Sequence, residues 1–277
     1  MFSDYLTRVG RRASSRRRLT LLVVLFLAGC GALNLFTIND DINFGKQMDQ
    51  EIRATPSEYP ILNNEPLRSY IQGIVNRIIQ APEIKYRGRF AYTVTVINDD
   101  RTVNAFATPG GYVYVYTGLL RFIDNEATLA GILGHEIAHA EERHGTEHMT
   151  TSLGADMALQ IALGKNPDKL ASIAGNAAVL LGTLKNSRSD EMEADTKSFG
   201  YLKGVGYYPG SIKFFFEKMM SRGGRSVGAL DNWASTHPTS EDRVDNMNGL
   251  LRANAIPPPT PAQLLTEPYR NAMRSLR

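Results

Sequence analysis

The chain has 277 residues, of which 43% are hydrophobic and 21% charged, with 24 glycines and 13 prolines. This composition is typical of a globular protein and excludes a disordered chain, a collagen-like repeat and a bundle of membrane spans. Six of the 31 basic residues and one of the 28 acidic residues precede residue 30, which leaves 25 basic against 27 acidic residues in the remainder. A slightly acidic body offers no electrostatic surface for nucleic acid, so we expect no nucleic-acid partner.

The first 29 residues have the pattern of a secretory signal peptide. An arginine-rich stretch ends at Arg18, and the apolar run that follows it, Leu19–Leu27, is short for a membrane span. The run leads into the sequence LAGC at residues 27–30, which resembles the lipobox of bacterial lipoproteins, where a peptidase cuts before a cysteine that carries lipid. We therefore predict a signal peptide over residues 1–29 and a tether over residues 30–45.

Cys30 is the only cysteine in the chain. An intrachain disulfide, a thiolate metal site and cysteine-based catalysis are therefore excluded. We predict that Cys30 carries lipid and anchors the protein to a bacterial envelope membrane, facing the periplasm. Gly31 after the cysteine favours the outer membrane by resemblance to the sorting of enteric lipoproteins. An uncleaved anchor helix with an incidental cysteine is the alternative for this region.

The pattern of apolar and turn residues after the tether predicts an α+β domain over residues 46–252. A Pro-rich tail over residues 253–277 follows it. We expect mainly helices, with a small antiparallel or mixed sheet packed beside the longest of them. Asp124 or Asn125 is expected to cap that helix. The predicted strands are 90–97, 103–107 and 112–116, with a turn at 109–111. One helix is predicted within 46–80, one within 118–149 and two within 150–186. Further helices are predicted at 188–203, 210–222 and 239–252.

The string His-Glu-Ile-Ala-His at residues 135–139 is the strongest chemical motif. At about 100° per residue, His135 and His139 project from one face of a helix. Two imidazoles so placed can bind one zinc ion, and Glu136 beside them can take a proton from water at the metal. Two core histidines bridged by hydrogen bonds are the alternative. On a continuous helix His144 and His148 lie about 180° and 220° from His135, so we expect both to be solvated or helix-end residues.

A catalytic zinc site needs a third protein ligand and keeps its fourth position open. Glu191 and Asp195 are four residues apart in a predicted helix and share one face, whereas Glu193 points about 200° away from Glu191. One of the two carboxylates can bind the metal while the other accepts a hydrogen bond from a ligating histidine and fixes the orientation of its ring. Taken alone, the pair would favour an acidic helix face in water, but beside the two histidines it does not.

Four motifs together resemble the gluzincin peptidases related to HtpX and the CAAX prenyl endopeptidase, and most closely their compact envelope lipoprotein members (LoiP-like and BepA-like, without helical repeats). The resemblance implies one zinc ion per chain, bound by His135, His139 and Glu191, with Glu136 as catalytic base and Asp195 supporting the site. No run after the signal is long enough to imply several membrane spans, so a prenylated substrate is not expected. The motifs are NAFA at 104–107 followed by PGG at 109–111, NEA at 125–127 before HEIAH, ExEAD at 191–195 and STHP at 235–238.

We therefore expect a lipid-anchored zinc endopeptidase that cleaves unfolded or misassembled envelope proteins. Its substrate is expected to lie extended along a strand edge in segment 103–107 or 112–116, because main-chain pairing reads little side-chain sequence. A chaperone-like lipoprotein that holds unfolded chains with little or no cleavage is the alternative, and Glu136 argues against it. The expected substrate strand consists of Asn104, Ala105, Phe106 and Ala107.

His237 is the one histidine far from the others in sequence. The resemblance gives it a role at the site, in one of two forms. His237 either donates a hydrogen bond to the developing oxyanion, or its neutral ring occupies the fourth position of zinc at rest. We expect Arg243, shortly after it, to supply a supporting charge.

Overall fold

The computed structural model describes residues 33–166, 168, 169, 172, 186–222, 231–237 and 241–276. The predicted signal peptide, Cys30 and, except for residue 172, the second of the two helices predicted within 150–186 lie outside the described residues. Contacts divide the chain into two units, 1–33 and 34–277, and the second is described below. Within the described ranges, no helix has the length and apolar character needed to cross a membrane.

The domain begins earlier than the sequence predicts. Helix α1 (Ile38–Ala54) starts with a capping box, in which Thr37 and the carboxylate of Asp40 each accept a backbone hydrogen bond from the other residue. Phe36 and Phe44 are buried, and an added Cβ at Gly45 would lie 1.8 Å from the carbonyl oxygen of Pro109. The segment 34–45, expected as part of a tether, therefore packs within the folded unit.

Three strands form a mixed sheet, as predicted. They are β1 (Val94–Ile97), β2 (Ala105–Ala107) and β3 (Val113–Tyr116), in the order β1-β3-β2. Strand β3 pairs in parallel with β1 and antiparallel with β2. Strand β2 is therefore an edge of the described sheet, while β3 is its centre. Helix α2 (Glu65–Ile78) precedes the sheet, so the helical region predicted over 46–80 consists of two helices.

The predicted long helix is divided into three: α3 (Thr117–Phe122), α4 (Glu126–Glu142) and α5 (His144–Leu153). Helix α4 is the core of the domain, because every residue from Glu126 to Glu141 is buried. Asn125 caps it by accepting a hydrogen bond from the backbone of Thr128. Helix α4 ends at Arg143, which has φ 65° and ψ 30°, a left-handed conformation that turns the chain sharply before α5.

The C-terminal half surrounds α4 with further helices. A capping box between Ser187 and Asp190 starts helix α7 (Arg188–Gly204). At Gly131 an added Cβ would lie only 2.5 Å from the backbone nitrogen of Ile212, so helix α8 (Ile212–Ser221) packs directly against α4. Tyr269 is buried in the segment predicted as a tail and donates a hydrogen bond to the carbonyl of Leu120. The helices are α6 (Ala155–Ala162), α7 (Arg188–Gly204), α8 (Ile212–Ser221), α9 (Asp231–Thr236), α10 (Glu241–Ala253), α11 (Pro261–Leu264) and α12 (Thr266–Met273).

Candidate metal centre

Side chains from two helices converge beside the sheet. His135 and His139 project from one face of α4, and Glu191 reaches them from the first turn of α7. His237, directly after α9, completes a buried group whose ligand-type atoms all lie within 4.8 Å of one another. The structure thus brings together the three residues that the family resemblance implies as ligands, together with the late histidine.

The spacing of these atoms fits a tetrahedral zinc ion. Bonds of 2.0–2.1 Å in a tetrahedron separate the ligand atoms by about 3.3 Å. The Nε2 atoms of His135 and His139 are 3.0 Å apart. The oxygens of Glu191 lie 3.4 Å from His135 Nε2 and 3.3 Å from His139 Nε2. The donor set, two imidazole nitrogens and a carboxylate, is also one that zinc prefers.

The hydrogen bonds around His135 also fit a bound metal ion. Its Nδ1 lies 2.9 Å from Asp195 Oδ1, so Nδ1–H donates to that carboxylate, and Nε2 points towards His139 and Glu191. Arg243 holds Asp195 with two bonds of 2.7 Å, from Nε and Nη2, and also donates to Glu191. His135 Nε2, the ring of His139 and the carboxylate of Glu191 therefore face one another, an arrangement that a bound cation would satisfy.

The ionisation of these groups follows from the same contacts. Burial alone would lower the pKa of His135, but Glu191 and Asp195 raise it to about 9. Burial would raise the pKa of Glu191, but the imidazoles of His237 and His135 hold it well below its usual range. Burial, followed by the neighbouring His135, lowers the pKa of His139. The site favours a positive charge between its carboxylates.

Glu136 is buried next to His135 and lines the adjoining cleft. Its Oε1 has no hydrogen-bond partner among the described residues, although the backbone amide of Ala107 is bonded to the carboxylate. Burial raises the pKa of Glu136. A buried carboxylate with an unused oxygen beside a metal site can accept a proton from a reacting water.

The cleft has a volume of about 320 Å³ and runs along one edge of the sheet. It is lined by Asn104, Phe106 and Ala107, in and next to β2, and by Glu136, His139 and His237. The sequence left segments 103–107 and 112–116 both open as the substrate edge. Among the described strands, β3 is paired on both sides, whereas β2 is paired on one side and lines this cleft.

His237 lies inside the group of ligands. Its Nδ1 is 2.9 Å from Glu191 Oε1 and 3.4 Å from His135 Nε2. Its Nε2 is 3.5 Å from Glu136 Oε1. The ring stacks on Trp233 at 4.4 Å between centroids, which fixes its plane.

Two residues at the site were missed by the sequence. Asn186 Nδ2 lies 2.8 Å from Glu191 Oε1 and 3.3 Å from His139 Nε2; its place just before the cap of α7 carried no signal of this. His144 does begin a helix, but it is buried and contacts His139. Of the two alternatives expected for it, the helix-end position agrees with the structure and the solvated one does not, because the turn at Arg143 breaks the helix on which that expectation depended.

The other two polar residues that the sequence singled out are placed away from the ligands. His148 is partly exposed and lies 2.8 Å from Asp190. The side chain of Glu193 is 48% exposed and pairs loosely with Lys197 at 3.8 Å. The helical register that separated Glu193 from Glu191 and Asp195 agrees with the structure.

A helix that carries His-Glu-x-x-His, completed by a glutamate from a second helix, defines the zinc metallopeptidases of the HExxH class. Residues 66–251 match the model of Peptidase family M48. The chain belongs to that family. The resemblance to gluzincin peptidases found in the sequence motifs is confirmed.

Relatives of the chain come from bacteria and mitochondria. The beta-barrel assembly-enhancing protease of Escherichia coli K12 is 30% identical over 240 residues, which cover 83% of this chain and 47% of that protein. The protein of the same name from Yersinia pestis is 27% identical over 239 residues, with the same coverage. The mitochondrial metalloendopeptidase OMA1 of Schizosaccharomyces pombe is 31% identical over 209 residues, or 73% of this chain and 60% of that protein. The chain thus spans about half the length of the bacterial relatives that it matches.

Proposed function

We propose that this protein is a lipid-anchored endopeptidase of the bacterial envelope that cleaves unfolded or misassembled proteins with one zinc ion per chain. The observation that carries the proposal is the convergence of His135, His139 and Glu191 at ligand spacing, with the unused oxygen of Glu136 beside them. These three residues would hold the ion. When bound, zinc supplies a Lewis acid that polarises the scissile carbonyl and makes a nearby water more acidic.

The protein's own residues perform the rest of the reaction. Glu136 Oε1 takes the proton of the attacking water and delivers it to the leaving amine, which its raised pKa favours. Asp195 and Arg243 keep the ring of His135 in place from behind. The substrate pairs through its main chain with strand β2, as the edge position of Ala105–Ala107 allows, and this places the scissile bond next to Glu136.

We assign His237 to the fourth ligand position at rest. Its Nδ1 lies as close to Glu191 and His135 as the proposed ligands lie to each other, which favours this role over donation to an oxyanion. Substrate would then displace the ring from the site. His237→Ala is expected to raise the activity of the resting enzyme while bound zinc is retained. A fall in kcat with full zinc content would assign His237 to the oxyanion instead.

Cleavage of casein tests the central proposal. The wild-type protein should cut casein, a chelator should stop the reaction, and added zinc should restore it. Glu136→Gln serves as the matched control, because it keeps the shape of the side chain but cannot take the proton. If the wild-type protein suppresses aggregation of unfolded chains without cutting them, and Glu136→Gln does so equally well, the chaperone-like alternative replaces the peptidase.

The envelope location is supported by the LAGC sequence at residues 27–30 and by bacterial relatives named for beta-barrel assembly. Cys30→Ser tests the anchor. We expect the wild-type protein to begin at Cys30 and to carry acyl chains in mass spectrometry, and the variant to lack both features. A wild-type protein that begins at another residue without acyl chains would contradict the lipid anchor.

A further inference from the structure

The ring of His139 makes a second buried contact on the side away from the proposed metal position. Its Nδ1 lies 2.7 Å from Nδ1 of His144, and His144 is only 3% exposed. A contact of this length between two ring nitrogens is a hydrogen bond with one proton between them. One ring therefore donates and the other accepts.

The direction of this bond follows from the opposite side of His139. Its Nε2 faces His135 Nε2 at 3.0 Å and Glu191 Oε1 at 3.3 Å, which is the side of the proposed ligand set. An Nε2 that binds a metal has no proton, so in a neutral ring the proton resides on Nδ1. His139 therefore donates from Nδ1, and His144 accepts.

The turn at Arg143 brings His144 to this position. On a continuous helix, residue 144 would lie about 140° round from His139. The left-handed conformation of Arg143 ends α4 and starts α5 in a new direction, so that His144 returns to His139. Arg143 is held there by hydrogen bonds from its guanidinium to Asp41 and to the carbonyl of Phe36, both from the segment that precedes or begins α1.

We infer that His144 is a positioning residue of the metal centre, which fixes the tautomer and ring orientation of His139 so that Nε2 faces the ion. The inference rests on the proposed ligand set. Metal-bound histidines generally donate their second N–H to an acceptor, and removal of that acceptor costs about 10–100-fold in metal affinity. Asp195 serves His135 in this way, and His144 serves His139.

The two acceptors differ in chemistry. Asp195 is a carboxylate held by Arg243, whereas His144 is an imidazole whose Nε2 lies 3.7 Å from Glu193 Oε2. That distance is too long for a hydrogen bond, and the carboxylate is 48% exposed. We therefore expect the effect to depend on the acceptor nitrogen of His144 and very little on Glu193.

The test compares three variants of the full mature protein. His144→Leu removes the acceptor, and His144→Asn returns an oxygen close to the position of Nδ1. His148→Leu is the matched control, because it removes a histidine from the same helix without touching a proposed ligand. Zinc dissociation constants would be measured by competition with a chromophoric chelator, and visible spectra would be recorded for the cobalt-substituted proteins.

We expect His144→Leu to weaken zinc binding by about 10–100-fold and to alter the cobalt spectrum, and His144→Asn to recover most of the affinity. His148→Leu should change the affinity less than about threefold, since it is not bonded to a proposed ligand. Equal losses for His144→Leu and His148→Leu, or no recovery in His144→Asn, would overturn the inference by making α5 merely a packing element.

A further variant separates this inference from the proposed ligand set. His139→Ala should reduce zinc affinity more than any His144 variant. If His139→Ala binds zinc as well as the wild-type protein does, the proposed ligands are wrong. If His139→Ala loses zinc but His144→Leu does not, the ligands stand and the role of His144 is refuted.

Discussion

Helix α4 carries three buried glutamates that differ in how completely they are hydrogen-bonded. Near its first turn, Glu126 accepts bonds from the hydroxyls of Tyr70 at 2.7 Å and Tyr207 at 2.8 Å, one on each oxygen. In the middle, Glu136 leaves Oε1 without a hydrogen-bond partner among the described residues, although His237 Nε2 lies 3.5 Å from it. The two carboxylates therefore lie on the same helix and are both buried, but only that of Glu126 has a hydrogen bond to each oxygen.

The third glutamate, near the end of α4, resembles the first. Glu141 accepts bonds from the backbone amides of Lys85 at 2.7 Å and Tyr86 at 3.3 Å, and from the hydroxyl of Tyr92. Such contacts compensate the cost of burying a carboxylate and attach the loop after α2 to the helix. Burial alone thus does not separate Glu136 from Glu126 and Glu141; its oxygen without a hydrogen bond, in a residue that lines the cleft, does.

The sharpest test of this difference is the replacement of each carboxylate by its amide. Glu136→Gln should lower kcat by about two to four orders of magnitude, because the amide cannot take a proton. Bound zinc and thermal stability should stay close to wild type. Glu141→Gln is the control on the same helix, and should keep its kcat in a protein that is less stable. Wild-type turnover by zinc-loaded Glu136→Gln would remove Glu136 from the mechanism.

Helix α7 offers a second comparison, between an acidic side chain that points towards the histidines of α4 and one that points towards solvent. Glu191→Ala should lose zinc, because the carboxylate contacts both histidines of α4. Glu193→Ala should keep zinc, because its side chain is 48% exposed and faces away. Chelator titration of both variants measures the difference. A larger loss for Glu193→Ala would show that the register of α7 at the site is wrong.

A smaller loss is expected from the residue one turn further along α7. Asp195→Ala should weaken zinc binding by about 10–100-fold, because His135 loses the acceptor of its Nδ1–H while its Nε2 remains. The buried guanidinium of Arg243 would then lose both of its hydrogen bonds to Asp195, so the apo protein should also unfold more easily. Calorimetry with and without zinc separates the two effects. Unchanged affinity would mean that packing around His135 suffices to orient it.

The sequence predicted those parts of the site that local periodicity controls. The spacing of His135, Glu136 and His139 gives their directions on any helix, and the same holds for Glu191 and Asp195. The sequence also predicted a small mixed sheet beside the long helix. Each of these expectations depends on residues a few positions apart.

The features that the sequence missed depend on distant contacts. The left-handed turn at Arg143 has no local signal such as glycine, and the residue that stabilises it, Asp41, lies 102 positions earlier. The same turn places His144, so its contact with His139 was unpredictable from helical geometry. The packing of Phe36 and Phe44 was missed for a related reason: a short polar segment with scattered apolar residues has the composition of a tether.

The smallest effect on the protein is expected when one oxygen of Glu126 loses its hydrogen bond, as Oε1 of Glu136 lacks one. Tyr207→Phe removes the hydroxyl that donates to Glu126 Oε1 but keeps the ring, which lies 4.0 Å from the guanidinium of Arg77. One carboxylate oxygen is then buried without a partner, and we expect a loss of about 1–3 kcal/mol in the free energy of unfolding.

The same variant should leave zinc affinity and kcat unchanged, since Glu126 lies ten residues, or about 15 Å, from Glu136 along the helix axis. Urea denaturation in the presence of a chelator measures the stability, and casein cleavage measures the activity. Tyr70→Phe, which removes the donor to the other oxygen, should behave alike. If either variant lost activity in proportion to Glu136→Gln while remaining folded, Glu126 could no longer be regarded as purely structural. Hydrogen-bond satisfaction would then not distinguish Glu136 from Glu126.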